Sequence, residues 1–252
     1  MNVQTEPSPP ASASSAGTQV DKSNRRVREM FGQIARRYDL MNHVLSLNID
    51  KRWRRKTVRR LRLQGDWPIL DVCTGTGDLA FELARNCSSQ ATVVGSDFCH
   101  PMLVVAKEKL AKSSQANLDF MEADAQVLPF ADNTFQAVTV AFGLRNIAST
   151  ERGLDEMLRV CRPGGQIAVL EFSRSQTIGL KQAYEFYFKF LLPRVGQRMA
   201  KNDKSAYHYL PQSVAEFPCG QQLADLMESR GIRNVSVLPM TFSIATLYLG
   251  EK

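Results

Sequence analysis

Leu70-Asp71-Val72-Cys73-Thr74-Gly75-Thr76-Gly77-Asp78 is the stretch that decides the fold. Ile69–Cys73 is a short apolar run of strand length, and Asp78–Asn86 reads as an amphipathic helix. A strand therefore passes through a Gly-x-Gly turn straight into a helix. Such a turn lets the backbone approach a ligand closely at a helix N-terminus. Asp97 stands 20 residues beyond Gly77, at the end of the next apolar run, Thr92–Ser96. From there a carboxylate can accept hydrogen bonds from both hydroxyls of an adenosine ribose.

The alternation continues outward from this unit. The spacing predicts a helix over Pro101–Lys112, a third strand at Leu118–Met121, a fourth at Phe135–Phe142 and a helix near Glu151–Cys161. Pro163-Gly164-Gly165 reads as a tight turn into a fifth strand, Gln166–Phe172. Strands alternating with helices imply an α/β domain, a parallel sheet covered on both faces. After a helix at Gln221–Ser229, Asn234–Leu238 and Ile244–Leu249 read as two strands with no helix between them, an antiparallel pair that brings the sheet to seven. Upstream, Arg25–Tyr38 and Lys51–Leu61 read as helices separated by Met41–Leu47. The expected organisation is a disordered tail over 1–21, a basic helical cap over 22–66 and the α/β domain over 67–252, with an insertion over 174–215 on the substrate side.

Gly75-x-Gly77-x-x-Ala80 fits a dinucleotide-binding turn as well as it fits S-adenosylmethionine. Three features favour the second. Asp71 precedes the glycines, where its carboxylate suits a cationic methionine end and would repel a pyrophosphate. Asp124-Ala125 follows the third strand, where a carboxylate and a backbone amide can hold an adenine amino group and ring nitrogen. The terminal strand pair without a crossover helix is typical of methyltransferases. The plainer alternative is that Asp71 and Asp97 only cap helices and turns.

Composition narrows the classes. In 252 residues, 44% are hydrophobic and 23% charged, as in ordinary globular proteins. No run approaches the roughly 20 apolar residues of a membrane span, and the N-terminus has neither the secretory nor the transit-peptide pattern. Cys73, Cys87, Cys99, Cys161 and Cys219 are scattered, form no C-x-x-C pair and have three histidines for company. They read as reduced thiols of a cytoplasmic protein without a metal. Lys22–Arg62 holds 14 Lys and Arg against Glu29, Asp39 and Asp50, a local +11 within a chain of net +7. The rest is mildly acidic, so only this third points to an anionic partner or surface.

Longer motifs name a family. Over about residues 26–250 the chain closely resembles the quinone-biosynthesis C-methyltransferases, the demethylmenaquinone/2-polyprenyl-6-methoxybenzoquinol methyltransferases. The resemblance rests on Met30-Phe31-x-x-Ile34-Ala35-x-x-Tyr38-Asp39-x-Met41-Asn42, on the glycine loop, and on Ala123-Asp124-Ala125-x-x-Leu128-Pro129-Phe130-x-Asp132-Asn133-x-Phe135. Phe142-Gly143-Leu144-Arg145-Asn146, Pro163-Gly164-Gly165 and Leu170-Glu171-Phe172-Ser173 complete it. The Phe142–Asn146 and Leu170–Ser173 runs are far more specific than the glycine loop. The resemblance implies the class I S-adenosylmethionine-dependent methyltransferase (Rossmann-like) fold, with S-adenosyl-L-methionine as cofactor. It carries over Thr76, Asp97, Asp124, Ala125 and Ala141 as cofactor contacts, beside Asp71, Gly75 and Gly77 read from the loop itself. Two departures stand out: Cys73-Thr74 replaces the small residues of many members, and Ala141 stands where some have serine. The implied reaction is C-methylation of a prenylated quinol ring in menaquinone or ubiquinone biosynthesis, with a lean towards demethylmenaquinol.

The acceptor is expected outside the C-terminal ends of strands four and five. Arg145 and Asn146 fall there, to stabilise a phenolate-like oxygen and to hydrogen-bond the ring hydroxyl; Arg145 pairing structurally with Glu171 is an equal alternative. Tyr38, Asp39, Asn42 and His43 are placed to close the pocket. His43 suits a base by its pKa, and a surface or capping role suits it as well. Tyr184–Leu192 is apolar nearly all round as a helix, a lining for a prenyl channel or plain core. Lys51–Arg62, with eight Lys/Arg in 12 positions and Trp53 and Leu61 beside them, reads as a peripheral contact with the inner membrane face or a solvated helix face. Competing functions are a methyltransferase for another lipophilic phenol, an RNA methyltransferase and a non-catalytic scaffold. Against a base methyltransferase, Ala141-Phe142-Gly143-Leu144-Arg145 stands where an Asn/Asp-Pro-Pro-aromatic motif belongs, and the one Pro-Cys, Pro218-Cys219, lies far downstream.

Overall fold

The computed structural model describes residues 23–46, 48–173 and 205–252. The expected tail over 1–21, the Tyr184–Leu192 segment and most of the 174–215 insertion lie outside these residues.

Seven strands form one sheet in the order β3-β2-β1-β4-β5-β7-β6. They are β1 (Ile69–Val72), β2 (Val93–Asp97), β3 (Leu118–Glu122), β4 (Phe135–Ala141), β5 (Cys161–Phe172), β6 (Arg233–Met240) and β7 (Ala245–Glu251). The first five pair in parallel. β7 runs antiparallel to both neighbours, inserted between β5 and β6. The β1 residues are all buried, as a central parallel strand covered on both faces requires.

Helices α3 (Asp78–Asn86) and α4 (His100–Leu110) pack on one face, where Leu79, Leu83, Leu103 and Ala106 join the core with Ile69 and Val93. Helix α5 (Thr150–Val160) and the later α7 (Gln221–Ser229) cover the other, through Leu154, Met157, Leu223 and Met227. A further helix, α6 (Ser205–Glu216), precedes α7.

Two elements differ from the pattern expected. Helix α1 runs without a break from Asn24 to Leu45, and α2 follows at Ile49–Val58. Nothing from Tyr38 to Leu45 breaks a helix; the stop comes at Asn48, whose left-handed φ of 60° turns the chain. Pro163-Gly164-Gly165 lies inside β5 and makes a bulge. Pairing with β4 jumps from Phe135↔Cys161 to Ala137↔Gln166, so the extra residues loop out while the strand continues. Gly164 has φ 73°, and a β-carbon on Gly165 would come within 2.9 Å of the Gln136 carbonyl. Among the described residues no helix is long and apolar enough to cross a membrane.

Because β1 leads to β2 and β3 on one side and β4 and β5 lie on the other, the strand order reverses between β1 and β4. Loops part there, which is where α/β sheets bind ligands. Helix α1 lies over this crevice and packs on α4, with Ala35 beside Cys99 and Met102.

Candidate active site

The glycine loop is held in a conformation that few sequences reach. Cys73, Gly75 and Gly77 all have left-handed φ, at 51°, 59° and 88°. A β-carbon on Gly77 would come within 2.6 Å of the Phe120 ring, so only glycine fits there without displacement. The Thr74 amide donates to the Ser96 carbonyl (2.9 Å) and the Gly75 amide to Asp97 Oδ2 (2.8 Å). Loop and second strand are thereby locked together.

A cleft opens above this loop, with about 610 Å³ of atom-free space, part of it open to solvent. Its floor is built from the strand ends: Cys73 and Gly75 after β1, Asp97 at the end of β2, Asp124 and Ala125 after β3, Ala141 at the end of β4. Val27, Phe31 and Tyr38 of α1 close it from above, with Phe98, Met102 and Ile147 as apolar walls.

Asp97 is buried in this floor. Its Oδ1 accepts from the Cys99 amide (2.8 Å), and its Oδ2 from Gly75. Burial pushes its pKa up to about 6 against the pull of those two N–H groups. Asp71 lies beneath the loop, does not line the cleft and takes hydroxyl hydrogen bonds from Thr74 (2.6 Å) and Thr139 (2.7 Å). Burial raises its pKa to about 6 too, with the two hydroxyls pulling the other way. Neither carboxylate has a salt bridge among the described residues. Asp124 accepts from the Gln126 amide at 2.9 Å. Cys73 and Cys99 also line the cleft, but burial raises both thiols, Cys99 to about 11, so neither is a thiolate nucleophile.

This donor set fits an adenosine. The Asp97 carboxylate keeps free lone pairs beside its two N–H partners, Asp124 and the Ala125 backbone face the far end of the cleft floor, and apolar side chains offer walls for a flat ring. Thr76 does not line the cleft: its hydroxyl binds Asp39 of α1.

On the acceptor side the structure separates the two neighbours in the Arg145-Asn146 pair. Asn146 lines the cleft, and its Oδ1 accepts from the Tyr209 hydroxyl at 3.1 Å. Arg145 is buried below it, its Nη1 donating to Glu171 Oε1 (2.5 Å) and to the Phe142 carbonyl (2.6 Å). The pairing with Glu171 is thus present, and Arg145 does not line the cleft.

His43 is placed elsewhere than a base for this cleft would be. Its Nδ1 lies 2.9 Å from Asp50 Oδ2 and its Nε2 3.7 Å from Asp78 Oδ2. These three groups come within 4.8 Å of one another, yet protein cations already occupy the carboxylates. Arg54 binds Asp50, and Lys109 Nζ donates to Asp78 (2.7 Å) and Asp39 (2.9 Å). Burial works to raise Asp50 and Asp78, but Ser46 and Arg54 at the first and Arg54 and Lys109 at the second outweigh it and hold both below the usual carboxylate range. The cluster fastens α1 and α2 to α3 and α4. Tyr209, Phe98 and Met102 had no signal in the sequence; Val27 and Phe31 had one, the i, i+4 apolar spacing of α1, which says helix face and not cleft.

The strand order with β7 reversed, and a cleft at the C-terminal strand ends, define a class I S-adenosylmethionine-dependent methyltransferase fold. A solved S-adenosylmethionine-dependent methyltransferase from Thermotoga maritima, described as a possible histamine N-methyltransferase, superposes with a TM-score of 0.61 at 18% identity, covering 90% of this chain and 99% of that one. Residues 18–252 match the ubiE/COQ5 methyltransferase family. A ubiquinone/menaquinone biosynthesis C-methyltransferase from Geobacter sulfurreducens is 44% identical over 92% of this chain and 90% of its own length. A demethylmenaquinone methyltransferase from Porphyromonas gingivalis is 42% identical over 91% and 94%. The chain belongs to the ubiE/COQ5 methyltransferase family.

Proposed function

We propose that this protein transfers a methyl group from S-adenosylmethionine to a ring carbon of a prenylated quinol, with demethylmenaquinol as the main acceptor and 2-polyprenyl-6-methoxybenzoquinol as the second. The observation that carries the acceptor class is the 44% identity, over nine-tenths of both chains, to a quinone-biosynthesis C-methyltransferase.

S-adenosylmethionine brings a methyl group already activated by its sulfonium, so the chain's own residues have to position, exclude water and handle protons. Asp97 would hold the ribose hydroxyls, and Asp124 with the Ala125 amide the adenine. Gly75 and Gly77 let the backbone pass close, and Ala141 leaves the strand end uncrowded. Asp71, just under the loop, adds negative potential towards a cationic group without touching it. Thr76 acts through Asp39, fixing the α1 roof to the loop.

The acceptor must be an electron-rich ring. Removing a hydroxyl proton from a quinol pushes charge to the adjacent ring carbon, whereas the oxidised quinone is an electrophile. Asn146 lines the cleft; Tyr209 engages its carbonyl and the Phe142 carbonyl accepts from its amide nitrogen at 3.4 Å, which leaves the second amide hydrogen for a phenolate oxygen. Arg145 supports it from below as a charged group paired with Glu171. His43 serves the attachment of α1 in this reading, and the ring proton leaves by another group.

The test is methyl transfer from radiolabelled S-adenosylmethionine to chemically reduced demethylmenaquinol, with the oxidised quinone, the methoxybenzoquinol and RNA in parallel. Label in the reduced quinols alone is expected. Label in RNA, or in neither quinol while the cofactor binds, overturns the acceptor assignment.

A further inference from the structure

Trp53 and Leu61, the apolar residues expected to accompany the basic run at a surface, are buried at 3% and 9% exposure. Trp53 packs instead on the acceptor side of the cleft. Its ring lies 6.0 Å from that of Phe142 and meets Phe172 edge-on at 6.2 Å, while Phe142 and Phe172 stack on each other at 4.5 Å. At such spacings aromatic rings attract beyond what their burial contributes. Arg54, the next residue of α2, sets its guanidinium 5.6 Å from the centre of the Phe142 ring. Two consecutive residues of the cap therefore bear on Phe142.

Phe142 needs such a grip. Its φ of 59° is left-handed, a conformation that an aromatic residue seldom adopts and keeps only where its surroundings impose it. Glycine would adopt it at no steric cost, but would offer no ring for Trp53 and Phe172 to hold. The Phe142 carbonyl accepts from Arg145 Nη1 at 2.6 Å and from Asn146 Nδ2 at 3.4 Å. One backbone oxygen thus anchors both the buried cation and the amide that lines the cleft. Tyr209 holds the other end of that amide. Trp53 is itself fixed: its indole N–H donates to Thr241 Oγ1 at 2.8 Å, in the turn between β6 and β7. Ser173, next to Phe172, donates to the Ser243 carbonyl of the same turn at 2.8 Å. Segments far apart in the chain close on one strained residue.

We propose that Trp53 is a positioning residue for methyl transfer: it clamps Phe142 in its left-handed conformation and so aims Asn146 at the acceptor. The aim rests on the acceptor side assigned above; the clamp rests on ring contacts and a hydrogen bond. Without the indole, Phe142 relaxes towards an ordinary φ, its carbonyl swings away and the Asn146 amide loses its direction. A misdirected group of this kind costs turnover. Cofactor affinity is spared, because Asp97 and Asp124 follow β2 and β3, on the far side of β1.

The test uses the full chain with Trp53→Leu, Trp53→Phe and Thr241→Val, each checked for folding by circular dichroism. Turnover of the reduced quinol at saturating S-adenosylmethionine should fall about tenfold in Trp53→Leu and about threefold in Thr241→Val. Trp53→Phe, which keeps a ring, should lie between parent and Trp53→Leu. Affinity for S-adenosylmethionine should stay within about twofold in all three. In an Asn146→Ala background, Trp53→Leu should cost less than about twofold, since the group it aims is gone. The Asn146 side-chain amide signal in ¹⁵N NMR, assigned by its loss in Asn146→Ala, should move in Trp53→Leu and in Thr241→Val. Thr241→Val keeps every ring and carries the test if Trp53→Leu does not fold. Losses from Trp53→Leu and Asn146→Ala that multiply, an Asn146 signal that stays in place, or cofactor affinity that falls in step with turnover overturns the proposal. A signal that moves in a protein whose parent methylates no quinol sinks the acceptor assignment and leaves the clamp standing.

Discussion

Two pairs of aspartates flank the glycine loop and are treated in opposite ways. Asp71 and Asp97 are buried beside hydroxyls and backbone amides, with no ion pair among the described residues, and both are raised to about 6. Asp50 is buried and Asp78 half-buried, beside Arg54 and Lys109, and both are lowered. Burial opposes ionisation in all four; cations decide the sign. The first pair carries charge that the fold leaves uncompensated and a ligand can use. The second carries charge that the fold has already spent, on holding the cap in place.

The largest effect expected is on the second pair. Asp50→Ala leaves the buried Arg54 with Asp78 alone, at 3.8 Å, and chemical denaturation should show a loss of roughly 3 kcal/mol, the low end for a broken buried pair. Affinity for S-adenosylmethionine, measured by calorimetry on the folded protein, should stay within about twofold. If affinity falls in step with stability, the two pairs are not separate devices.

Asp97→Asn should do the reverse. Removing hydrogen bonds to a charged acceptor, at about 1.5–3 kcal/mol each, should weaken S-adenosylmethionine binding roughly 100-fold. Stability without ligand should change little, because the amide hydrogen bond lost at one of Gly75 and Cys99 is offset by removing a charge that burial disfavours. A collapse of stability in this variant would make Asp97 a structural group.

The pairs also part company with pH. A carboxyl raised in the fold binds its proton more tightly than in the unfolded chain. Its contribution is therefore fully present below about pH 4 and is lost as pH rises through about 6. The lowered pair contributes above about pH 4 and loses that contribution only as pH falls further. Between pH 7 and pH 5 the ligand-free protein should gain about 1 kcal/mol from each of Asp71 and Asp97. In Asp97→Asn half of that gain should vanish. The ligand-bound form should show less of it, because hydroxyl donors favour the ionised carboxylate.

A smaller effect is expected on the acceptor side. Tyr209→Phe frees the Asn146 carbonyl to turn, and turnover of the reduced quinol should fall about fivefold, near 1 kcal/mol. Affinity for S-adenosylmethionine should not change. A matching loss of cofactor affinity would place Tyr209 in general packing.

How legible these features were in the sequence follows the separation of their parts. The glycine loop, Asp97 and the Asp124-Ala125 pair lie within strand–turn–helix units, and local pattern plus chain order was enough to put them at one sheet edge. The antiparallel end of the sheet was equally readable, because no helix fits between β6 and β7. The pairs Asp39–Thr76, Lys109–Asp78 and Tyr209–Asn146 join distant segments, and no periodicity announces them. His43 shows the consequence: its residue type suited a base, but the unbroken run of α1 to Leu45 carries it to Asp50 and away from the cleft. Arg145 was readable as two things at once, and only the neighbouring ends of β4 and β5 set it against Glu171. The Pro163-Gly164-Gly165 bulge has the composition of a turn, and strand pairing on both sides is what keeps it within β5.

The central claim is that the fold leaves one aspartate pair for a ligand and neutralises the other. Titration of carboxyl-labelled aspartates by ¹³C NMR tests it most directly, with single Asp→Asn variants assigning the signals. Asp71 and Asp97 should titrate near 6 and Asp50 and Asp78 below the ordinary range, and S-adenosylmethionine should draw Asp97 downwards. Four aspartates titrating alike, or an Asp97 signal that the cofactor leaves unmoved, would contradict the account.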